Sequence, residues 1–264
     1  MLSEPLVQLN YASINLLEDP DFRKRVIAWL SRTERQRLKQ FRQPQQADQY
    51  LLARAMLRYQ LSQKHPDILP QQWQFEVDAQ GKPQLTPLFS HLNIHFNFSH
   101  SEDMVALAIS DGVVVGADIE ADTRPVFNMA LAQRYFADSE IHWLQSLPVE
   151  QQLPGIVQLW TLKESYLKAE GLGLRVPLRK LVFSFSGARV LSLELSSDWD
   201  DIKGFKKTDF CALYRLGTNY SLALTVKADC RISESDVKVE QWCGLRQDIQ
   251  HQYCQLLRTT SVEN

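Results

Sequence analysis

A chain of 264 residues, 44% of them hydrophobic, is long enough for one large domain or two small ones and too apolar for a disordered segment. A formal net charge of −2 leaves no global basic field for nucleic acid, and no apolar run approaches the ~20 residues that would cross a bilayer. Met1-Leu2-Ser3-Glu4-Pro5 lacks the basic start and apolar core of a secretory signal, and Cys211, Cys230, Cys243 and Cys254 show no C-x-x-C spacing, so a cytoplasmic chain without disulfides or zinc is expected.

In chain order, Asp21 to Trp29 reads as an amphipathic helix with Phe22, Val26, Trp29 and Leu30 on its apolar stripe. A second helix begins at Thr33, with Arg35, Arg37 and Lys39 on a basic face, and Pro44 separates it from a third, Ala47 to about Lys64. In that third helix Leu51, Leu52, Ala55, Met56 and Tyr59 face inward, while Arg54 and Arg58 stand one turn apart. Trp73 to Val77, Ile94 to Asn97, Val105 to Ile109 and Val113 to Ile119 read as strands, with a turn at Gly81-Lys82-Pro83. Asp111-Gly112 has the signature of a two-residue hairpin between the last two.

Beyond Glu120 the outline repeats. Helices are predicted from Val126 to Phe136, from Asp138 or Ser139 onward, and from Val157 to Ala169. Strands follow at Leu181 to Phe185, Val190 to Leu195, Phe210 to Tyr214 and Ser221 to Val226. Helices then strands, twice over, predict an α+β fold of two similar lobes, residues 1–119 and 120–230. Residues 231–264 are an extension, with a helix expected to carry Trp242, Leu245, Ile249, Tyr253 and Leu256.

The chemistry concentrates in Gly116-Ala117-Asp118-Ile119-Glu120 and in Trp160-Thr161-Leu162-Lys163-Glu164-Ser165-Tyr166-Leu167-Lys168. Alternate side chains of a strand share a face, so Asp118 and Glu120 point one way and Val115, Ala117 and Ile119 the other, toward a core. Gly116 would leave open space on the acidic face. Two adjacent carboxylates repel unless a cation or proton intervenes. A hard divalent cation such as Mg²⁺ suits two carboxylates plus substrate phosphates. Glu164 offers a third oxygen from a helix, and Lys168, one turn later on the same face, offers a cation for an anionic ligand.

These two segments resemble the signature of the 4′-phosphopantetheinyl transferase family, a G-x-D-x-E strand end and a W-x-x-K-E-x-x-x-K helix. His95-Phe96-Asn97-Phe98-Ser99-His100-Ser101 resembles the family's asparagine-x-serine-histidine strand end, and Gly81-Lys82-Pro83 its glycine-lysine-proline turn. All four occur in family order. The resemblance implies the long, two-lobed Sfp-like type, with pseudo-two-fold symmetry and a monomeric state. It implies Mg²⁺-dependent transfer of phosphopantetheine from coenzyme A to the serine of an apo acyl or peptidyl carrier protein, the reaction of a holo-[acyl-carrier-protein] synthase, with release of 3′,5′-ADP. Fatty-acid, polyketide and nonribosomal peptide assembly lines all use such carriers.

By the same resemblance, Asp118, Glu120 and Glu164 hold the metal, and Lys168, Ser99 and His100 meet the phosphates. Lys82 touches the nucleotide end, and Arg37 and Arg54 are candidates for the 3′-phosphate, Arg54 standing in where relatives place an arginine and this chain has Gln49. Glu164 is open to two roles, ligand or general base toward the carrier serine. Glu140 is a second candidate base, and a favourable first-turn acid at a helix N-terminus is its ordinary alternative. His95 and Asn97 read as structural. Two other functions fit the same residues: a metal-dependent phosphodiester hydrolase, and a carrier-binding module without activity. Neither a nucleic acid nor a membrane is expected as a partner.

Overall fold

Alternation along the strands decides which surfaces are buried, and the buried surfaces decide the layers. A computed structural model describes residues 6–78, 81–173, 176–186, 190–195, 209–229, 231–244 and 254–260. It is an α+β structure built on two main sheets. The first sheet is formed by β1 (Val7–Ser13), β4 (Ile94–Ser101), β5 (Met104–Asp111) and β11 (Val237–Gln241), in the order β11-β1-β5-β4. The second is formed by β6 (Val114–Ala121), β7 (Leu181–Ser186), β8 (Val190–Leu195), β9 (Phe210–Leu216), β10 (Tyr220–Lys227) and β12 (Cys254–Thr260), in the order β6-β10-β9-β12-β8-β7. A small hairpin, β2 (Phe75–Val77) with β3 (Pro83–Leu85), stands apart.

The inner faces of the two main sheets pack on each other. Val7, Leu9, Met104 and Ala106 of the first share one buried cluster with Val115, Ala117, Ile119, Leu222 and Leu224 of the second. The outer face of the first sheet, with Val105, Leu107 and Ile109, is covered by α1 (Pro20–Trp29) and α3 (Pro44–Lys64) through Val26, Leu51, Leu52 and Met56. The outer face of the second, with Leu213 and Ala223, is covered by α5 (Asp138–Ser146) and α6 (Val149–Glu170) through Leu144, Leu159 and Leu162. The smaller α2 (Arg32–Leu38) and α4 (Met129–Tyr135) complete the helical layers. No helix among the described residues is long and apolar enough to cross a membrane.

Three features correct the sequence reading. Asp111-Gly112 does not close a hairpin. Both edges of β5 are already taken, by β1 and β4, so the chain leaves the first sheet there and β6 pairs antiparallel with β10 in the second. The division at residue 119 therefore runs through a strand of the second sheet. The extension beyond 230 shows no α-helix where it is described, only a short 3-10 turn, Glu234–Asp236, and two strands. β11 lies parallel to β1, and β12 lies between β9 and β8, because each finds an open strand edge to pair with. Trp242 packs under the first lobe's helices; Leu245, Ile249 and Tyr253 lie outside the described residues. The strand β1, which the sequence reading does not mark, is the third difference.

Candidate active site

The site lies where the two sheets meet, and a missing side chain brings its halves together. A Cβ on Gly116 would stand 2.0 Å from the carbonyl oxygen of Ser165 and 2.5 Å from the amide nitrogen of Ala169. The open space expected beside the carboxylates is filled by the backbone of α6, and only glycine permits that approach. Ser165 and Ala169 each follow directly on Glu164 and Lys168, so the contact sets those two side chains against Asp118 and Glu120.

On the other side, β4 meets β6 through side chains. Asn97, Ser99 and Ser101 share one face of β4 by their period of two. The Ala117 amide donates to Asn97 Oδ1 at 3.1 Å and the Ala121 amide to Ser101 Oγ at 3.1 Å. Ser99 Oγ donates to Asp118 Oδ1 at 2.7 Å, and Ser101 Oγ to Glu120 Oε2 at 2.8 Å. Asn97 thus holds the seam, as its structural reading expects, and the two serines orient the two acids.

Asp118 is 3% exposed. Its Oδ1 also accepts from Lys168 Nζ at 2.6 Å, and Lys168 reaches Ser99 Oγ at 2.9 Å. Asp118 Oδ2 is buried with no hydrogen-bond partner, a costly state for a carboxylate oxygen unless something else meets it. Glu120 pairs with Arg124 at 2.5 Å. Burial, then the Asp118 charge, raise the Glu120 carboxyl above its ordinary pKa, while Arg124 and Ser101 oppose the rise. Glu164 is half-buried; burial first and Asp118 next push it up to about 7, against the pull of Lys168. Desolvation beside the cleft, then the charge of Lys168, hold the His100 imidazole below its usual value.

A cleft of about 370 Å³ brings Ser99, His100, Asp118, Glu120, Glu164 and Lys168 together, with Phe98, Phe127 and Trp160 as its aromatic wall. A second cavity of about 290 Å³ shares Phe98 and Lys168 with the first and adds Gly81 and Lys82. A third, of about 1170 Å³, shares Gly81 and adds Arg37 and Arg54. Lys82 is half-buried, and burial lowers its pKa against the attraction of Asp78. Arg54 lies near the rings of Tyr50, Phe75 and Phe98, with its Nε 3.8 Å from Glu34. Arg37 is exposed over Phe41. The named candidates line three neighbouring hollows, each sharing lining residues with the next, from the acids to Arg37.

Glu140 does not line it, and its reading as a second base is corrected. It is 2% exposed and bonded on both oxygens. Lys163 Nζ lies 2.8 Å from Oε1, the Phe183 amide donates to Oε1 at 2.9 Å, and the Ala137 amide donates to Oε2 at 2.9 Å. A carboxylate so held clamps α5, α6 and β7 together and has no path to a substrate proton. Arg58 and Gln49 are likewise structural: Arg58 is 1% exposed and bonds Glu34 and the carbonyls of Pro70 and Trp73, and Gln49 bonds the Glu102 carbonyl at 2.7 Å.

Sequence reasoning missed three residues. Ser101 repeats the Ser99 position two residues on, a period-two signal that was available. Arg124 stands four residues past Glu120, but beyond the end of the strand, where spacing says nothing about direction. Lys163 looks like one more charge in a charged helix; only its zero exposure marks it as Glu140's partner.

Among the described residues, no three His, Cys, Asp or Glu side chains form a ready-made metal cluster. Asp118, Glu120 and Glu164 nevertheless fit a hard divalent cation. All are oxygen donors, Asp118 keeps a buried oxygen without a partner, and the charge of Asp118 adds to burial in raising Glu164 and Glu120. Lys168 and Arg124 hold two of them meanwhile.

Comparison with known proteins agrees along the chain. Residues 114–225 match the 4′-phosphopantetheinyl transferase superfamily, and residues 19–111 match the N-terminal part of a 4′-phosphopantetheinyl transferase. The chain is 34% identical over 155 residues to the slr0495 protein of Synechocystis sp., covering 59% of this chain and 62% of that protein. It is 31% identical over 173 residues to the 4′-phosphopantetheinyl transferase HetI of Nostoc sp., covering 65% of this chain and 72% of HetI. It is 29% identical over 172 residues to the 4′-phosphopantetheinyl transferase Sfp of Bacillus subtilis, covering 65% and 74%.

Proposed function

The chain belongs to the 4′-phosphopantetheinyl transferase family, and we propose that it moves 4′-phosphopantetheine from coenzyme A to a serine of an apo acyl or peptidyl carrier protein, as a cytoplasmic monomer. The observation that carries this reading is the row of adjoining hollows, the first two sharing Lys168 and the last two Gly81. It has buried acids at one end and arginines at the other, which suits a long ligand with a pyrophosphate inside and a further phosphate at its far end.

In the reaction, the carrier serine oxygen bonds to the β-phosphorus of coenzyme A and the bond from that phosphorus to the bridging oxygen breaks. The serine proton goes to a base and 3′,5′-ADP leaves. Glu164 is the base. Pushed up to about 7, its carboxyl stands near the pKa that suits proton transfer at neutral pH. Lys168, with Ser99 and Asp118 fixing its ammonium, holds the pyrophosphate in place. Lys82 and Arg54 hold the nucleotide half, and Arg37 the end beyond it. Phe98, Phe127 and Trp160 give the cleft an apolar side, next to which the charges of Lys168 and the acids act more strongly than in bulk water. Asp118 and Glu120 would hold Mg²⁺, with Glu164 as a third oxygen only where it is not the base, and the ion would supply positive charge to the pyrophosphate.

Incubation of apo carriers with the chain, coenzyme A and Mg²⁺ should add the mass of phosphopantetheine to the carrier serine, and Asp118→Ala should abolish the gain. No gain on a panel of fatty-acid, polyketide and peptide carriers would overturn the reading.

A further inference from the structure

Arg124 has no place in the reaction above, yet it occupies a carboxylate that the reaction needs. It follows the end of β6 and sets its guanidinium 2.5 Å from Glu120 Oε2, with side chains 38% and 10% exposed respectively. Glu120 does not depend on it for direction. The same oxygen accepts from Ser101 Oγ at 2.8 Å, and Ser101 is itself fixed by the Ala121 amide. In the same position Arg124 lies 5.6 Å from the ring of Phe127, a contact on the cleft wall that does not depend on Glu120. The two cations on the acids differ in freedom. Lys168 is bonded to both Ser99 and Asp118, whereas Arg124 bonds Glu120 alone of the two acids and is the more exposed, 38% against 27%.

A divalent cation and a guanidinium repel each other across one carboxylate, which favours release of the one that is less tied. We propose that Arg124 is a displaceable counter-ion: it neutralises Glu120 while no divalent cation is bound and gives up that carboxylate when one enters. This rests on reading Glu120 as a cation ligand. It makes Arg124 a competitor of the metal, where an arginine that merely oriented Glu120 would be its helper, and the two differ in sign.

The test is calorimetric titration of Mn²⁺, without coenzyme A or carrier, into the wild type, Arg124→Gln and Asp118→Ala. Competition predicts that Arg124→Gln binds Mn²⁺ about fivefold more tightly than the wild type, the scale of a partly exposed ion pair, and that Asp118→Ala loses the binding. An affinity of Arg124→Gln equal to or weaker than the wild type overturns the competition and leaves the cation site standing. No binding by the wild type overturns the cation site, and the competition with it.

Discussion

Glu164 is caught between burial and its like-charged neighbours, and this gives it a legible pH signature. Its carboxyl is raised to about 7 from an ordinary 4.5, so the unfolded chain releases the proton first. Between those values the folded state binds more protons, and stability falls as pH rises. Below the window both states are protonated and nothing is lost; above about 7 the cost of the charge stands in full. Glu164→Gln removes the titration. In the presence of a chelator, the Gln variant should be more stable than the wild type by roughly 1–2 kcal/mol near about pH 8, after allowance for solvent screening, and should match it near about pH 4. Denaturant melts at the two pH values measure this. A gap of the same size at both would mean that Glu164 does not titrate in the window. Single residues of this kind were legible in sequence where local geometry decides them: Asp118 and Glu120 share a face because a strand alternates. Glu140 was misread because its partner Lys163 is brought to it only by the packing of α5 on α6.

At the scale of elements, the contact between β6 and α6 does most to assemble the site, and Gly116 is its narrowest point. The backbone atoms that an added methyl would strike belong to the last turns of α6 (Val149–Glu170), beside the buried Leu162 and Tyr166, so the helix end can yield only by shifting its packing. Gly116→Ala should therefore cost about 3 kcal/mol or more, the upper range for overpacking a tight interface, and should lift Glu164 and Lys168 away from Asp118. Chemical denaturation measures the first effect and coenzyme A affinity the second. A variant within about 0.5 kcal/mol of the wild type would show that the helix yields easily and that the glycine is not what fixes the approach. Much at this scale was readable: helices and most strands followed from periodicity. What the sequence did not disclose is which strand pairs with which. The hairpin signal at Asp111-Gly112 is local, whereas the pairing of β6 with β10 is fixed by distant chain. The helix stripe read from Trp242, Leu245 and Ile249 falls mostly outside the described residues, while the residues just before it, Val237–Gln241, form an edge strand.

The whole molecule is tied together by a core that neither half can bury alone. The inner faces of both sheets meet in one cluster, and the extension reaches back to both, with β11 on the first sheet and β12 inside the second. The reading of residues 1–119 and 120–230 as separate lobes suggests two folding units; the shared core argues for one. Trp242 distinguishes the two cases. It is 5% exposed, its amide donates to the Tyr11 carbonyl at 2.8 Å, and its ring lies 5.9 Å from Phe22 and 5.6 Å from Tyr59, all in the first lobe. Trp242→Ala should cost about 3–5 kcal/mol, as buried tryptophan truncations do. Because loss of the first sheet would strip the inner face of the second, amide exchange should speed up together in β5 and in β9 and β10, through one cooperative opening. If exchange accelerates in β1 and β5 while β9 and β10 keep wild-type protection, the lobes are independent units and the common cluster contributes little to either.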